Sequence, residues 1–174
     1  MYITIIAAIS TDGFIAGPDG DMEWLSPEDA KVLKQTIKDN DVLIMGSGTF
    51  MAQRHMFKVN SSKTRIVLTR DPKKYTAYSH LANFTSAMLQ DIALSYASSS
   101  KKLLILGGSH LYTECLTQKI GNKILLTVEP TVLGNGTPFL QSNLSLHEFT
   151  KNLHLQDQRI LNTEGTKLLT YSYE

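Results

Sequence analysis

Apolar residues along this chain gather in short blocks of two kinds. Tyr2–Ile9 is a near-continuous apolar run, the pattern of a strand covered on both faces. Asp41–Met45, Arg65–Thr69, Lys102–Leu106 and Lys123–Glu129 repeat it, and a shorter strand is expected near Leu81–Phe84. Between these runs the spacing becomes helical. Ser26-Pro27-Glu28-Asp29 opens a helix: serine caps, proline suits the first helical position, and the acids favour the positive end. Ala30, Leu33 and Ile37 then form a core-facing stripe to about Asp39. Leu89, Ile92, Ala93 and Tyr96 fit i, i+3, i+4, i+7, which predicts a helix over 86–98. Short helices are also expected after Gly46-Ser47-Gly48-Thr49 and from Gly107-Gly108 through Leu116. Ser98–Ser100 reads as a loop.

Beyond Glu129 the helices stop. Residues 147–156 and 166–173 read as two strands, with Asn162–Gly165 supplying turn chemistry and Leu169, Tyr171 and Tyr173 alternating with Thr170 and Ser172. Repeated strand–helix–strand units imply right-handed crossovers and a mostly parallel sheet. The expected fold is therefore α/β: one domain over 1–174, a mixed, mostly parallel sheet, helices on both faces and a C-terminal antiparallel strand pair.

Composition narrows the function classes. Hydrophobic residues are 42% and charged residues 19% of the 174 positions, as in an ordinary globular protein. Lys+Arg 17 against Asp+Glu 16 offers no electrostatic footprint for nucleic acid or a membrane surface. One cysteine, Cys115, excludes an intrachain disulfide and a multi-cysteine zinc site. The apolar N-terminus lacks the basic start of a signal peptide and is shorter than the roughly 20 residues of a bilayer span. These features point to a cytoplasmic protein with a small-molecule partner. His55, His80, His110, His147 and His154 are scattered without metal-ligand spacing, so no metal is expected.

Two strands run straight into a glycine turn and a helix, at Met45-Gly46-Ser47-Gly48-Thr49 and at Leu106-Gly107-Gly108-Ser109. Glycine admits a phosphate close to the backbone, and the helix start offers free N–H groups. Both turns fall beyond the carboxyl ends of strands, where open α/β sheets bind ligands, so together they can hold opposite halves of a dinucleotide. The alternative is two plain tight connections. With Met51 at the third glycine position, the first turn is neither a Rossmann fingerprint nor a P-loop. Arg70, at a strand end, is placed to meet a phosphate such as the 2′-phosphate of NADPH, or else pairs with Asp71 or solvent. Ser109 and His110 are secondary candidates for the same anion. Asp29, one turn into its helix and close after Trp24, is the candidate acid: a carboxyl held near an indole and away from water has a raised pKa. The alternative is a capping box in which its carboxyl bonds the Ser26 amide.

Ile5–Ile9, Asp12-Gly-Phe-Ile-Ala16, Glu23-Trp24, Leu43–Thr49 and Leu104–Tyr112 come in the order and spacing of the dihydrofolate reductase superfamily, which the whole chain resembles. Thr131–Phe139 resembles the reductase (C-terminal) domain of the riboflavin-biosynthesis deaminase–reductase. The resemblance implies an NADPH-dependent reductase with a mixed eight-stranded sheet. It places the Ala8 backbone and Ile15 beside the nicotinamide, and Gly46, Ser47, Gly48 and Thr49 at the pyrophosphate. Thr69 and Arg70 fall on the adenosine side, while Leu106, Gly107, Gly108, Ser109, His110 and Tyr112 line the cofactor. Asp29 falls where the family keeps the carboxylate that binds the pterin and assists its protonation, with Trp24 beside it and Thr127 in support. Ile6, Leu33 and Lys63 fall on the substrate side, and residues 12–24 form a closing loop.

The departures are specific. Leu33 stands where folate enzymes offer an aromatic ring, and Lys63 replaces the arginine that clamps the folate carboxylate. Thr49–Phe57 lacks the Asp-x-Pro segment and downstream arginine of the riboflavin branch. The H-x-E and P-C-x-x-C signature of its deaminase half is absent. The leading expectation is a 5-amino-6-(5-phosphoribosylamino)uracil reductase-like activity. Dihydrofolate reduction and a non-catalytic nucleotide-binding role are the alternatives. Riboflavin-type relatives imply a homodimer and dihydrofolate reductases a monomer.

Overall fold

The computed structural model describes residues 2–59, 62–141, 150–151 and 153–173. The first half runs β1 (Tyr2–Ser10), β2 (Phe14–Ala16), α1 (Pro27–Lys38), β3 (Val42–Gly46), α2 (Ser47–Gln53), β4 (Thr64–Leu68) and β5 (Asn83–Thr85). The second half runs α3 (Leu89–Ser95), β6 (Lys102–Ile105), α4 (Ser109–Thr117), β7 (Lys123–Glu129), β8 (Thr137–Pro138), β9 (Leu153–Ile160) and β10 (Lys167–Tyr173). Eight strands form one sheet in the order β5-β4-β3-β6-β1-β7-β10-β9. Every pair from β5 to β7 is parallel. β10 runs antiparallel to both β7 and β9, closing the sheet with the expected C-terminal pair.

Strand side chains alternate between faces, and both faces are covered. Ile3, Ile5, Ala7 and Ile9 of β1 pack with Leu89 and Ile92 of α3 and Leu111 and Cys115 of α4. Ile6 points the other way, into a second cluster with Leu43, Met45 and Phe50 under α1 and α2. Two-sided burial is why these strands read as unbroken apolar runs. Each fully buried aliphatic side chain contributes roughly 1.5–3 kcal/mol. No helix among the described residues is long and apolar enough to cross a membrane.

Three elements differ from the sequence expectation. α3 is shorter than 86–98 because hydroxyls compete at both ends: Thr85 Oγ1 accepts from the Ala87 amide at 3.0 Å, and the Ser95 and Ser99 hydroxyls donate to Ile92 and Tyr96 carbonyls. β9 begins at Leu153, and residues 147–149 and 152 of the expected strand lie outside the described residues. The pair β2–β8 was not legible, being three and two residues long amid turn residues. Gly136 makes that pair possible: at φ +154°, a Cβ would stand 2.1 Å from the Ala16 carbonyl oxygen.

Asp12 ties the long first loop to the segment around Gly134. Its carboxylate accepts from the Ser10 hydroxyl at 2.7 Å and from the Leu133 and Gly134 amides at 3.1 and 2.7 Å. The Ser10 hydroxyl, aided by those amides, holds its pKa below the ordinary aspartate value of 3.8. A depressed carboxylate tethers fully above its unfolded pKa and lets go as pH falls through its folded one. Protection of the Leu133 and Gly134 amides, relative to unprotected amides at the same pH, is therefore expected to fall only below the usual carboxylate range. In Asp12→Ala that protection should be lost at every pH, and protection unchanged in that variant would contradict the tether.

Candidate active site

Parallel pairing of β3, β6, β1 and β7 places their carboxyl ends side by side along one edge. The two glycine turns meet there, with the Gly46 amide donating to the Gly107 carbonyl at 2.7 Å. A Cβ on Gly46 would face Gly107 O and Gly108 N at 3.7 Å, and one on Gly108 would stand 3.3 Å from Thr49 Oγ1 and 3.9 Å from Ile15 Cδ1. Gly46, Thr49, Gly107, Gly108 and Ile15 thus meet in one cradle. The Gly107–Gly108 peptide is cis.

Tyr112 supports the cradle from below. Its single hydroxyl proton is shared between the carbonyls of Ile6, at 2.7 Å, and Leu106, at 3.0 Å, joining the middle of β1 to the residue after β6. Full burial pushes its pKa far up, with further upward contributions from Cys115 and Asp29. Gly107 sits at φ +99°, and a Cβ there would meet the Tyr112 ring and hydroxyl at 2.6 Å. Left-handed strain costs about 1–2 kcal/mol and overpacking about 1–3 kcal/mol, so Gly107→Ala is expected to lose about 2–5 kcal/mol in chemical denaturation. A loss under about 1 kcal/mol would mean that the turn relaxes freely.

Asp29 lies in the first turn of α1. Its backbone amide donates to the Ser26 hydroxyl at 3.2 Å, one half of a capping box. The other half goes elsewhere. The Ser26 amide and hydroxyl both donate to Glu129 Oε1, at 2.9 and 2.7 Å. Glu129, at the end of β7 and 2% exposed, also takes the Thr166 hydroxyl on Oε2 at 2.6 Å. Asn162 Nδ2 donates to that hydroxyl in turn at 2.9 Å. The Asp29 carboxyl is therefore not the helix cap.

It is only 5% exposed all the same. Burial raises its pKa above the ordinary 3.8, the Thr127 hydroxyl opposes this, and the nearby Glu129 charge adds to it. Thr127, 0% exposed, is close enough to favour the charged carboxylate, yet no partner meets its Oγ1 with full hydrogen-bond geometry. It pairs in register with Ala8, which links this acid to the carboxyl end of β1.

Of the remaining expected residues, Lys63 stands away from this centre, before the amino end of β4 at the opposite sheet edge, and so is not on the substrate side. Trp24 is half-buried in a turn, its Nε1 donating to the Asp21 carbonyl at 3.1 Å. Leu33 packs on the α1 side of the core. The Lys63 ammonium donates to the carbonyls of Lys38, at 2.7 Å, and Asn40, at the end of α1. Thr69 and Arg70 follow β4 at the same sheet edge; Arg70 is exposed and forms no ion pair among the described residues. Ser109 is buried and donates to the Pro138 carbonyl, while His110 is exposed at the start of α4. Ser47 is half-buried and Gly48 exposed. Among the described residues no group of His, Cys, Asp and Glu could hold a metal ion.

Glu129, Thr166 and Asn162 are the members that sequence reasoning missed. The available signal was a carboxylate closing the run Ile124–Val128, which is apolar but for Thr127.

Known proteins share this fold. The dihydrofolate reductase from Enterococcus faecalis complexed with NADP(H) and RAB-propyl superposes with a TM-score of 0.72 at 20% identity, over 99% of this chain and 96% of that one. A Thermotoga maritima diaminohydroxyphosphoribosylaminopyrimidine deaminase/5-amino-6-(5-phosphoribosylamino)uracil reductase superposes at 0.80 and 13% identity, over 99% of this chain and 56% of that one. Both share the fold. In sequence, the dihydrofolate reductase of Buchnera aphidicola is 31% identical over 137 residues, 78% of this chain and 76% of that protein. The family model for dihydrofolate reductase matches residues 2–160, nearly the whole chain and every element of the cradle, and the chain belongs to that family.

Proposed function

We propose that this protein is an NADPH-dependent reductase that adds a hydride to a C=N bond of a small pyrimidine- or pteridine-type substrate. One observation carries the reading: Asp29 is a buried carboxyl relieved of helix capping by Glu129, beside a buried, unsatisfied Thr127 hydroxyl, at the sheet edge that holds the glycine cradle. Hydride addition to the carbon of C=N requires a proton on the nitrogen. A carboxyl whose pKa is raised holds that proton closer to neutral pH. The bare faces of Gly46 and Gly108, where a side chain would fill the space, fit a cofactor lying against the backbone. NADPH, when bound, supplies the hydride. Ile15 covers the cradle, Thr49 borders it, and Arg70 offers an unpaired guanidinium to the 2′-phosphate that separates NADPH from NADH.

Two features favour the uracil-type substrate over folate. The Lys63 ammonium is engaged by α1 carbonyls rather than facing a substrate carboxylate, and Leu33 offers no aromatic ring. Dihydrofolate remains the second reading, on the strength of the family match and the buried Asp29.

Trp24 is the chain's one tryptophan and stands two residues before the Ser26 cap of the helix that carries Asp29, so its fluorescence is the probe for binding. Titration with NADPH is expected to quench it saturably, and Arg70→Gln should weaken NADPH at least about tenfold while leaving NADH within about twofold. Absence of saturable quenching, or equal weakening of both nucleotides, would count against the assignment.

A further inference from the structure

A second concave surface lies along α1. A cavity of about 670 Å³ runs from the amino ends of β1, β6 and β7 to Leu168 and Arg159, which are level with Thr127, and none of its lining residues belongs to the candidate active site. Its floor is apolar, formed by Leu125 and Leu168 beneath Val32 of α1, with buried Thr4 and Thr36 beside them. Its rim is basic: Lys31, Lys102, Lys123 and Arg159 against the single carboxylate of Asp39. Strand register sets Lys102 and Lys123 at one end of the cavity, beside Tyr2 and Thr4 of β1, while Arg159, beside Leu168 and level with Thr127, stands at the far end.

On a chain whose net charge is only +1, this is a local concentration of positive charge. Lys31 and Arg159 hold the exposed carboxylates of Glu28 and Asp157 at 3.5 and 3.3 Å, pairs weak enough to exchange. Lys102 and Lys123 form no ion pair among the described residues. Asn40, which lines the same cavity and is 5% exposed, has an Oδ1 without a hydrogen-bond partner.

From the apolar floor, the basic rim and the unsatisfied Asn40 we infer that this cavity binds a small amphiphilic organic anion, its apolar body over Leu125 and Leu168 and its anionic head between Lys102 and Lys123. The charge pattern selects the anion, and the floor selects an organic body over a bare inorganic ion. The inference goes beyond the reductase reading and does not depend on it.

The test uses full-length protein and 1-anilinonaphthalene-8-sulfonate, an aromatic sulfonate, followed by fluorescence and by amide chemical shifts. Saturable binding is expected, with the largest shifts at Thr4, Thr36, Asn40, Leu125 and Leu168. Lys102→Gln combined with Lys123→Gln, which leaves the apolar core in place, should weaken it at least about tenfold. Val32→Phe should do the same by filling the groove from the α1 side. Largest shifts at Asp29, Thr127 and Gly107–Gly108, or an affinity that neither change alters, would overturn the assignment. Because the shifts locate the probe without cofactor or turnover, failure here is separate from failure of the reductase reading.

Discussion

Asp29→Asn is expected to slow hydride transfer about 10²–10⁴-fold at neutral pH, the range that general acid catalysis commands, with NADPH binding unchanged. The asparagine keeps the shape and the contact with Thr127 but has no proton to give. The same substitution is expected to stabilise the fold. Burial raises the Asp29 pKa in the folded chain above the unfolded value of 3.8. Between those two values the folded state holds a proton that the unfolded state has lost, so stability declines as pH rises through the window. Above it, the wild type carries the full penalty of a buried charge, and asparagine removes that penalty. Urea denaturation should find Asp29→Asn more stable than wild type at pH 7, with the difference vanishing as pH falls below 3.8. A variant less stable at pH 7, with activity retained, would make Asp29 a structural residue.

Glu129→Ala should be the most damaging single change outside the cradle. It strands three buried donors at once: the Ser26 amide, the Ser26 hydroxyl and the Thr166 hydroxyl. An unsatisfied buried donor costs about 1–3 kcal/mol, so the sum is about 3–9 kcal/mol, against a whole-domain stability of about 5–15 kcal/mol. The effect should reach the site, because Ser26 caps the helix that carries Asp29. Amide exchange at Asp29 and Ala30 is expected to accelerate, and turnover per folded molecule to fall. Thr166→Val removes one donor together with its need for an acceptor, and should cost about 1–2 kcal/mol with the α1 start still protected. A Glu129→Ala loss below about 1 kcal/mol would show that water replaces the carboxylate without penalty.

The parts of this fold that rest on local pattern were readable from the residues. Ile3, Ile5 and Ile6 fall on two buried faces, and a run such as Lys123–Glu129 announces such a strand directly. Both glycine turns were visible as sequence, and so was the acid after Ser26. Their meeting was a different matter, because Gly46 and Gly107 touch only through the strand order β3-β6-β1, which no local spacing encodes. The capping-box alternative for Asp29 illustrates the same limit. A carboxylate three residues on is the obvious local partner for the Ser26 amide, but Glu129, 103 residues away, takes it because its two oxygens collect three donors together. Lys63 likewise settles on carbonyls 23 and 25 residues away at the end of α1, where unpaired acceptors await a cation. The pair β2–β8 escaped because its strands are too short to show a period, and because Gly136 reads as turn until its contact with Ala16 is seen.

The most direct test of the central claim is the initial rate of NADPH oxidation at pH 7 with 5-amino-6-(5-phosphoribosylamino)uracil or dihydrofolate as the sole acceptor, for wild type and Asp29→Asn. A wild-type rate well above the protein-free blank with at least one acceptor, reduced at least about 10²-fold by the substitution, is the predicted result. No oxidation with either acceptor, or a rate that Asp29→Asn leaves untouched, would contradict the account.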